Sequence, residues 1–261
     1  MKVQVLVATM NQENIEELLN NINISTEAII ANQTNNFSYN YLMHKQKKID
    51  IYNFNERGVG LNRNNALMRA NADIVLFADD DIEYRDGYEQ IILDEFRNNP
   101  KADMIFFNLC NNDDLRTRYM IKKCRRVHRY NCLRYGAVRI AVKLDKIKEN
   151  NIFFSLLFGG GAKYGSGEDS IFIYDCIKSG LKAYSSPKEI LTLKESESTW
   201  FKGYNEKYFY DKGALLRCIF GKKARIVIFL FILKHYKNMI KVGINKAYRQ
   251  MIKGYKEFSS K

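Results

Sequence analysis

Apolar residues along this chain fall into short continuous runs separated by segments with a helical repeat. Residues 2–9 (KVQVLVAT) form the first run and predict a strand. Asn11 stands where a helix N-cap is wanted, and Ile15, Leu18, Leu19 and Ile22 then recur at i, i+3, i+4 and i+7, one apolar helix face. Residues 28–31 predict a second strand closed by the polar loop 32–36, and residues 49–54 predict a third. A helix over about 61–71, carrying Arg63 and Asn64, leads into the run Ile74-Val75-Leu76-Phe77-Ala78, which stops at Asp79, Asp80 and Asp81. A helix over 86–98 and a strand over 102–109 continue the alternation. Such a pattern predicts an α/β fold with a doubly wound, mostly parallel sheet. Ligands of open α/β sheets bind beyond the carboxyl ends of the strands, so the loops at 8–11, 32–36, 55–63 and 79–81 belong to one rim.

Two stretches bring chemistry to that frame. Three adjacent carboxylates repel one another, and a hard divalent cation such as Mg²⁺ or Mn²⁺ prefers oxygen ligands of this kind. Asp79 and Asp81 are therefore candidate metal ligands, directly or through water, with Asp80 nearer a sugar or ribose hydroxyl; the competing reading is a solvated acidic turn or a cap for the next helix. Arg63, with its forked donors, suits a diphosphate or is an ordinary surface arginine. The second stretch is the glycine-rich segment 159–167, followed by Glu168 and Asp169 at the start of a helix bearing Ile171, Phe172, Ile173 and Ile177. Acids in a first turn are favoured by the helix dipole, and an acid at the end of a mobile loop is equally well placed to be a general base.

Charge changes the picture at one end only. Of the net charge of +13, residues 201–261 carry 15 Lys/Arg against 3 acids, so the first 200 residues are close to neutral. From 213 onward apolar and aromatic residues are interleaved with lysines, the pattern of helices that lie on an anionic membrane surface or pack as a helical subdomain on the rest of the chain. The longest apolar run, 226–233, is too short to span a bilayer, and the N-terminus has no signal-peptide pattern. The five cysteines show no metal-ligand or CxxC spacing and read as reduced thiols, which fits the cytosol. Cations interleaved with tyrosines over 116–139 suit an anionic lipid, a diphosphate-bearing acceptor or a solvated face, and without a nucleic-acid motif they do not predict nucleic-acid binding.

Three motifs in order, Val5-Leu6-Val7-Ala8-Thr9-Met10-Asn11, the run 55–81 with Gly58, Arg63-Asn64 and the aspartates, and Gly167-Glu168-Asp169 before a helix, resemble the family 2 glycosyltransferases of the Rossmann-like GT-A fold. That group builds bacterial capsule, exopolysaccharide and lipooligosaccharide chains. The resemblance implies a domain over 1–212 followed by a basic helical extension over 213–261. It implies that Ala8, Thr9, Asn11 and the 32–36 loop, including Gln33, hold the nucleotide of a UDP-sugar or related donor. Arg63 and an Mn²⁺ or Mg²⁺ ion on Asp81 and Asp79 would hold the diphosphate, and Asp80 would also face the donor. Asp169 would be the base of an inverting displacement, with Glu168 orienting it or meeting the acceptor, and Gly167 and Trp200 at the acceptor. The acceptor would be a glycan, and a basic tail resting on the inner face of a cell membrane would meet it there as a lipid-linked chain. A homo-oligomer is compatible with all of this.

The sequence departs from relatives in two places: the 32–36 loop has no Asp for the nucleobase, where an amide such as that of Gln33 could serve, and many relatives place a further metal-ligand His after the helix that begins at Glu168, whereas the only histidines here are His44, His128 and His235. Other classes predict different residues. A nucleotidyltransferase on such a sheet carries a Gly-rich basic phosphate loop after its first strand, unlike Ala8-Thr9-Met10-Asn11. A noncatalytic basic scaffold for membrane or nucleic acid has no need of Asp79, Asp81 and Asp169.

Overall fold

The computed structural model describes residues 1–110, 119–194, 203–240 and 242–258. Trp200 and its neighbours Ser198, Thr199 and Phe201, and Arg116 and Arg118, lie outside the described residues. In chain order the elements are β1 (Val3–Met10), α1 (Ile15–Ile22), β2 (Glu27–Gln33), β3 (Ser38–His44), β4 (Lys47–Phe54), α2 (Val59–Arg69), β5 (Ile74–Asp79), β6 (Ile82–Tyr84) and α3 (Tyr88–Asn98). Then follow β7 (Met104–Leu109), β8 (Arg125–Arg126), β9 (Ile140–Lys143), α4 (Leu144–Glu149), α5 (Glu168–Lys178), β10 (Ala183–Leu193), α6 (Glu206–Phe220), α7 (Ala224–His235) and α8 (Ile244–Glu257).

The strands form one sheet in the order β3–β4–β2–β1–β5–β9–β7–β10–β6, with β8 on β10. The block β4–β2–β1–β5 is parallel, as the alternation of strands and helices predicts, and β7 also runs parallel to β10. The sheet is mixed beyond that block: β9 lies antiparallel between β5 and β7, and β3 is an antiparallel edge. Successive strand residues serve opposite faces. Leu6, Val75 and Phe77 enter one core with α2 and α5, while Val5, Val7, Leu76 and Ala78 enter the other with α1 and α3. Burial on both faces is why these strands read as unbroken apolar runs.

Several local expectations are corrected. Asn14, not Asn11, caps α1, its side chain accepting from the Glu17 N–H at 3.1 Å. Asn11 instead takes φ +53°, a conformation asparagine tolerates, and its N–H donates to Gln33 O at 2.9 Å, turning the chain at the end of β1. Strand β3 is absent from the sequence pattern, because Ser38 to Met43 are largely exposed and no apolar face marks them. Part of the basic 116–139 stretch is structural. Arg139 is buried, donating to Phe107 O at 2.7 Å and Asn108 Oδ1 at 2.9 Å, and Arg134 lies 4.4 Å from the centre of the Tyr119 ring.

The division at 212/213 falls inside α6, so the basic tail does not begin as a separate unit. Ala214, Leu215 and Ile219 of α6 share a core with Phe158, Tyr164 and Ile171 of the first domain, and Phe258 closes it from the end of the chain. Helices α6 and α8 meet through glycine. A Cβ at Gly254 would run into the Tyr210 carbonyl, and one at Gly213 into the Met251 carbonyl. Gly254→Ala is accordingly expected to destabilise the chain. Overpacking costs about 1–3 kcal/mol, and alanine's better helix propensity returns only about 1 kcal/mol. Urea unfolding of the full chain measures it; an unchanged or raised midpoint would contradict the close helix contact.

Candidate active site

At the carboxyl end of the parallel block lies a cavity of about 900 Å³, within the size range of small-molecule sites. Register builds its floor. Pairing of β1 with β5 sets Ala8 opposite Asp79, and the Thr9 hydroxyl donates to Asp80 Oδ2 at 2.7 Å. Ala8, Thr9, Gln33, Asp79, Asp80 and Asp81 all line the cavity, as do Gly167, Glu168 and Asp169. Asn11, expected among the nucleotide contacts, is not among the lining residues; Met10 occupies that rim instead. Gln33 lines the wall, but its amide is paired with backbone, Nε2 donating to Gly58 O at 3.1 Å and Oε1 accepting the Gly58 N–H at 3.2 Å. Both ends of the amide proposed to read a base are thus directed at the chain itself.

Arg63 lines the same cavity but is no ordinary surface arginine. Its side chain is only 6% exposed, and its two terminal nitrogens are given to carboxylates, Nη2 to Asp79 Oδ1 at 2.7 Å and Nη1 to Glu168 Oε1 at 2.8 Å. It joins the end of β5 to the start of α5. Burial by itself would lower its pKa, but Asp79 and Glu168 more than offset that and hold the proton tightly. A different arginine stands exposed at the mouth: Arg57, which the sequence does not single out, lines the cavity while its guanidinium donates to Thr34 O at 2.7 Å and Asn35 Oδ1 at 3.1 Å.

The glycine-rich segment makes the remaining wall. Its course depends on glycine at Gly159, with φ +107°, where a Cβ would stand 2.8 Å from Glu168 Oε2, and at Gly167, with φ +118°, where one would stand 2.7 Å from Leu215. The Val59 N–H donates to Gly160 O at 3.0 Å, tying the segment to the start of α2. Asp211 of α6 ties its far end, Oδ2 accepting the Gly165 N–H at 2.9 Å and Lys207 Nζ at 2.7 Å.

Asp169 follows this segment with part of its surface open to the cavity, Oδ1 accepting the Ser170 N–H at 2.6 Å. Burial and the neighbouring Glu168 carboxylate push it up to about 6, against the pull of Arg63 and of Lys212 on α6. Glu168 is committed differently, one oxygen on Arg63 and the other accepting the Gly167 N–H at 3.1 Å. Two adjacent acids are thereby separated in role, one fixed in an ion pair and the other facing the cavity near neutrality. Lys212 and Asp211 escape sequence reasoning because nothing local shows where α6 docks.

Among the described residues no three His, Cys, Asp or Glu side chains form a ready-made metal cage, and none of the three histidines lines the cavity. The carboxylates present still suit a hard cation. Mg²⁺ is commonly held by one or two carboxylates together with substrate phosphates, which asks for no protein cage.

The Glycosyl transferase family 2 model matches residues 6–155, more than half of the chain and the segment that builds this floor. The chain belongs to glycosyl transferase family 2. No curated protein matches it. Among solved structures, S. aureus TarS 1–349 in complex with UDP-GlcNAc is similar to this family 2 chain with TM-score 0.66 and 16% identity, covering 99% of this chain and 80% of that one. The mannosyltransferase PcManGT from Pyrobaculum calidifontis, in complex with GDP-Man and Mn²⁺, gives TM-score 0.56 and 15% identity over 97% and 73%. Against a longer S. aureus TarS chain the TM-score is 0.61 at 17% identity over 90% of this chain, which spans only 44% of that relative. At such identities the likeness establishes the fold, which is GT-A.

Proposed function

We propose that this family 2 glycosyltransferase moves a hexosyl group from a nucleotide-sugar donor, a UDP-sugar in the first instance, to a hydroxyl of a growing cell-surface glycan, with inversion. The observation that carries the reading is that Asp169 lines the same cavity as Asp79, Asp80 and Asp81. A base and a carboxylate cluster that share a cavity of about 900 Å³ leave room for a donor sugar beside them.

Asp169 takes the proton of the acceptor hydroxyl as its oxygen bonds to the anomeric carbon. The bond from that carbon to the donor phosphate oxygen breaks, and its electron pair leaves on the diphosphate. A base must come within about 3 Å of the proton it removes. A pKa near 6 leaves Asp169 ionised at neutral pH yet more basic than an ordinary carboxylate. Glu168 is held by Arg63 and the Gly167 N–H, so it is not poised to attack the sugar, which favours a single displacement over a double one. Thr9 steadies Asp80 towards the donor, and Arg57 at the mouth supplies a cation for the phosphates. A divalent ion, Mn²⁺ or Mg²⁺, would be held by Asp81 and Asp79 and, when bound, would neutralise charge on the leaving diphosphate.

The test is a panel of UDP-, GDP- and dTDP-sugars incubated with the protein and Mn²⁺ or Mg²⁺, scored for nucleotide release with and without glycan acceptors. Release from one donor, abolished by EDTA and in Asp81→Asn, is the expected result. An absence of both turnover and metal-dependent nucleotide binding across the panel would overturn the reading in favour of a noncatalytic scaffold.

A further inference from the structure

Helix α7 is apolar on all sides, with no charged residue between Arg225 and Lys234. Its inner side is accounted for: Ala224 and Ile228 are buried, and Val227, Phe231 and Ile232 partly so, in a core shared with α6 and α8. Its outer side is not. Ile226, Phe229, Leu230 and Leu233 are 66%, 59%, 56% and 59% exposed. They recur at i, i+3, i+4 and i+7, so they form one stripe, which Tyr236 and Ile240 extend. The outer face of a helix in water is ordinarily polar, and a contiguous apolar patch of this kind marks an interaction surface.

We propose that this stripe seats the protein on an anionic lipid bilayer, α7 lying in the interfacial plane. Charge selects the occupant. Residues 221–261 hold 11 Lys/Arg and a single acid, Glu257, which accepts from the Tyr210 hydroxyl at 2.9 Å. Lys222, Lys223 and Arg225 flank the stripe at one end and Lys234 and Lys237 at the other, all exposed. A second copy of the chain would set this cationic element against itself, whereas anionic headgroups would neutralise it as the apolar side chains enter the acyl boundary. No helix among the described residues is long and apolar enough to cross the membrane, which leaves the interfacial arrangement for α7.

The seat is coupled to the catalytic wall. Helix α6 packs on α7 and α8 through Phe209 and Leu216, on Phe158, Tyr164 and Ile171 through Leu215 and Ile219, and reaches Gly165 through Asp211. A bilayer under α7 therefore holds the acceptor side of the cavity at a fixed relation to the lipid. This extends the transferase reading, on which it rests, to an acceptor carried on a membrane lipid.

The experiment is co-sedimentation of the full chain with vesicles of phosphatidylcholine alone or mixed with phosphatidylglycerol, without donor, so that its outcome is independent of turnover. Wild type is expected to bind the anionic vesicles, and to be released by salt. The double variant Phe229→Ser/Leu230→Ser is expected to lose roughly tenfold or more of that affinity, with an unchanged melting curve because both side chains face outward. In a separate Phe229→Trp variant carrying Trp200→Phe, so that position 229 holds the sole indole, the emission is expected to shift to the blue on anionic vesicles and to be quenched by brominated acyl chains. Failure of wild type to bind, or equal binding by the double variant, would overturn the proposal. So would self-association in solution that the double variant abolishes while no vesicle binding is seen, since the stripe would then belong to a second copy.

Discussion

Replacing Asp169 by Asn is expected to lower kcat by about 10²–10⁴-fold while making the protein more stable at neutral pH. The two effects have one cause. Burial and Glu168 raise the Asp169 pKa from 3.8 to about 6, so the folded chain binds this proton more tightly than the unfolded chain does. Between those values the native state carries more bound proton, and stability therefore falls as pH rises from about 4 to about 6, remaining at the lower level above that. Asparagine keeps an oxygen to accept the Ser170 N–H and carries no charge, so its advantage over wild type should open across that window and stay constant above it. The activity of wild type should move oppositely, kcat/KM rising through a pH of about 6 as the base is freed of its proton. Denaturation at pH values of about 4, 5, 6 and 7.5, spanning both pKa values, measures the first effect, and initial rates with the donor selected by the panel measure the second. Turnover by Asp169→Asn within about tenfold of wild type would remove Asp169 from the base role. Lower stability of that variant at the highest pH would contradict the raised pKa.

Legibility in the sequence followed how local each cause is. Strands β1, β2 and β5 are largely buried on both faces, so their runs stand out without any partner in view, and β4 shows itself through Ile49, Ile51 and Phe54. Strand β3 is an exposed edge with Tyr39, Tyr41 and Met43 facing water, and no burial pattern marks it. Asp79 to Asp81 and Glu168-Asp169 were legible as acids placed at element ends. What those acids do to one another was not, because Arg63 and Glu168 are 105 positions apart and meet only once α5 has packed beneath the sheet. The tail shows the same limit. Its alternation of apolar and basic residues allowed either a membrane surface or a packed subdomain; in the fold α6 and α8 pack, and the outer stripe of α7 stays exposed.

Arg63→Met should decide what that arginine is for. If its principal work is the buried network, removing it leaves Glu168, 12% exposed, without its counter-charge and Asp79, 35% exposed, with one partner fewer. Breaking a buried ion pair by deleting one partner costs about 3–5 kcal/mol. Solvent screening of Asp79 places the expected loss near the lower end, about 3 kcal/mol. Because Arg63 lowers the Asp169 pKa, its loss should also move the acid limb of the kcat/KM profile to higher pH, an effect a purely structural defect elsewhere would not produce. Adding Glu168→Gln removes the stranded charge, so the double variant should recover part of the lost stability, and the cycle of single and double variants isolates the coupling. The alternative, in which Arg63 leaves the carboxylates to grip the donor diphosphate, adds a marked weakening of donor binding to the same loss of stability, and isothermal titration with the donor distinguishes the two. The observed geometry favours the first, because each terminal nitrogen already donates to a carboxylate and Phe154 packs 5.5 Å from the guanidinium.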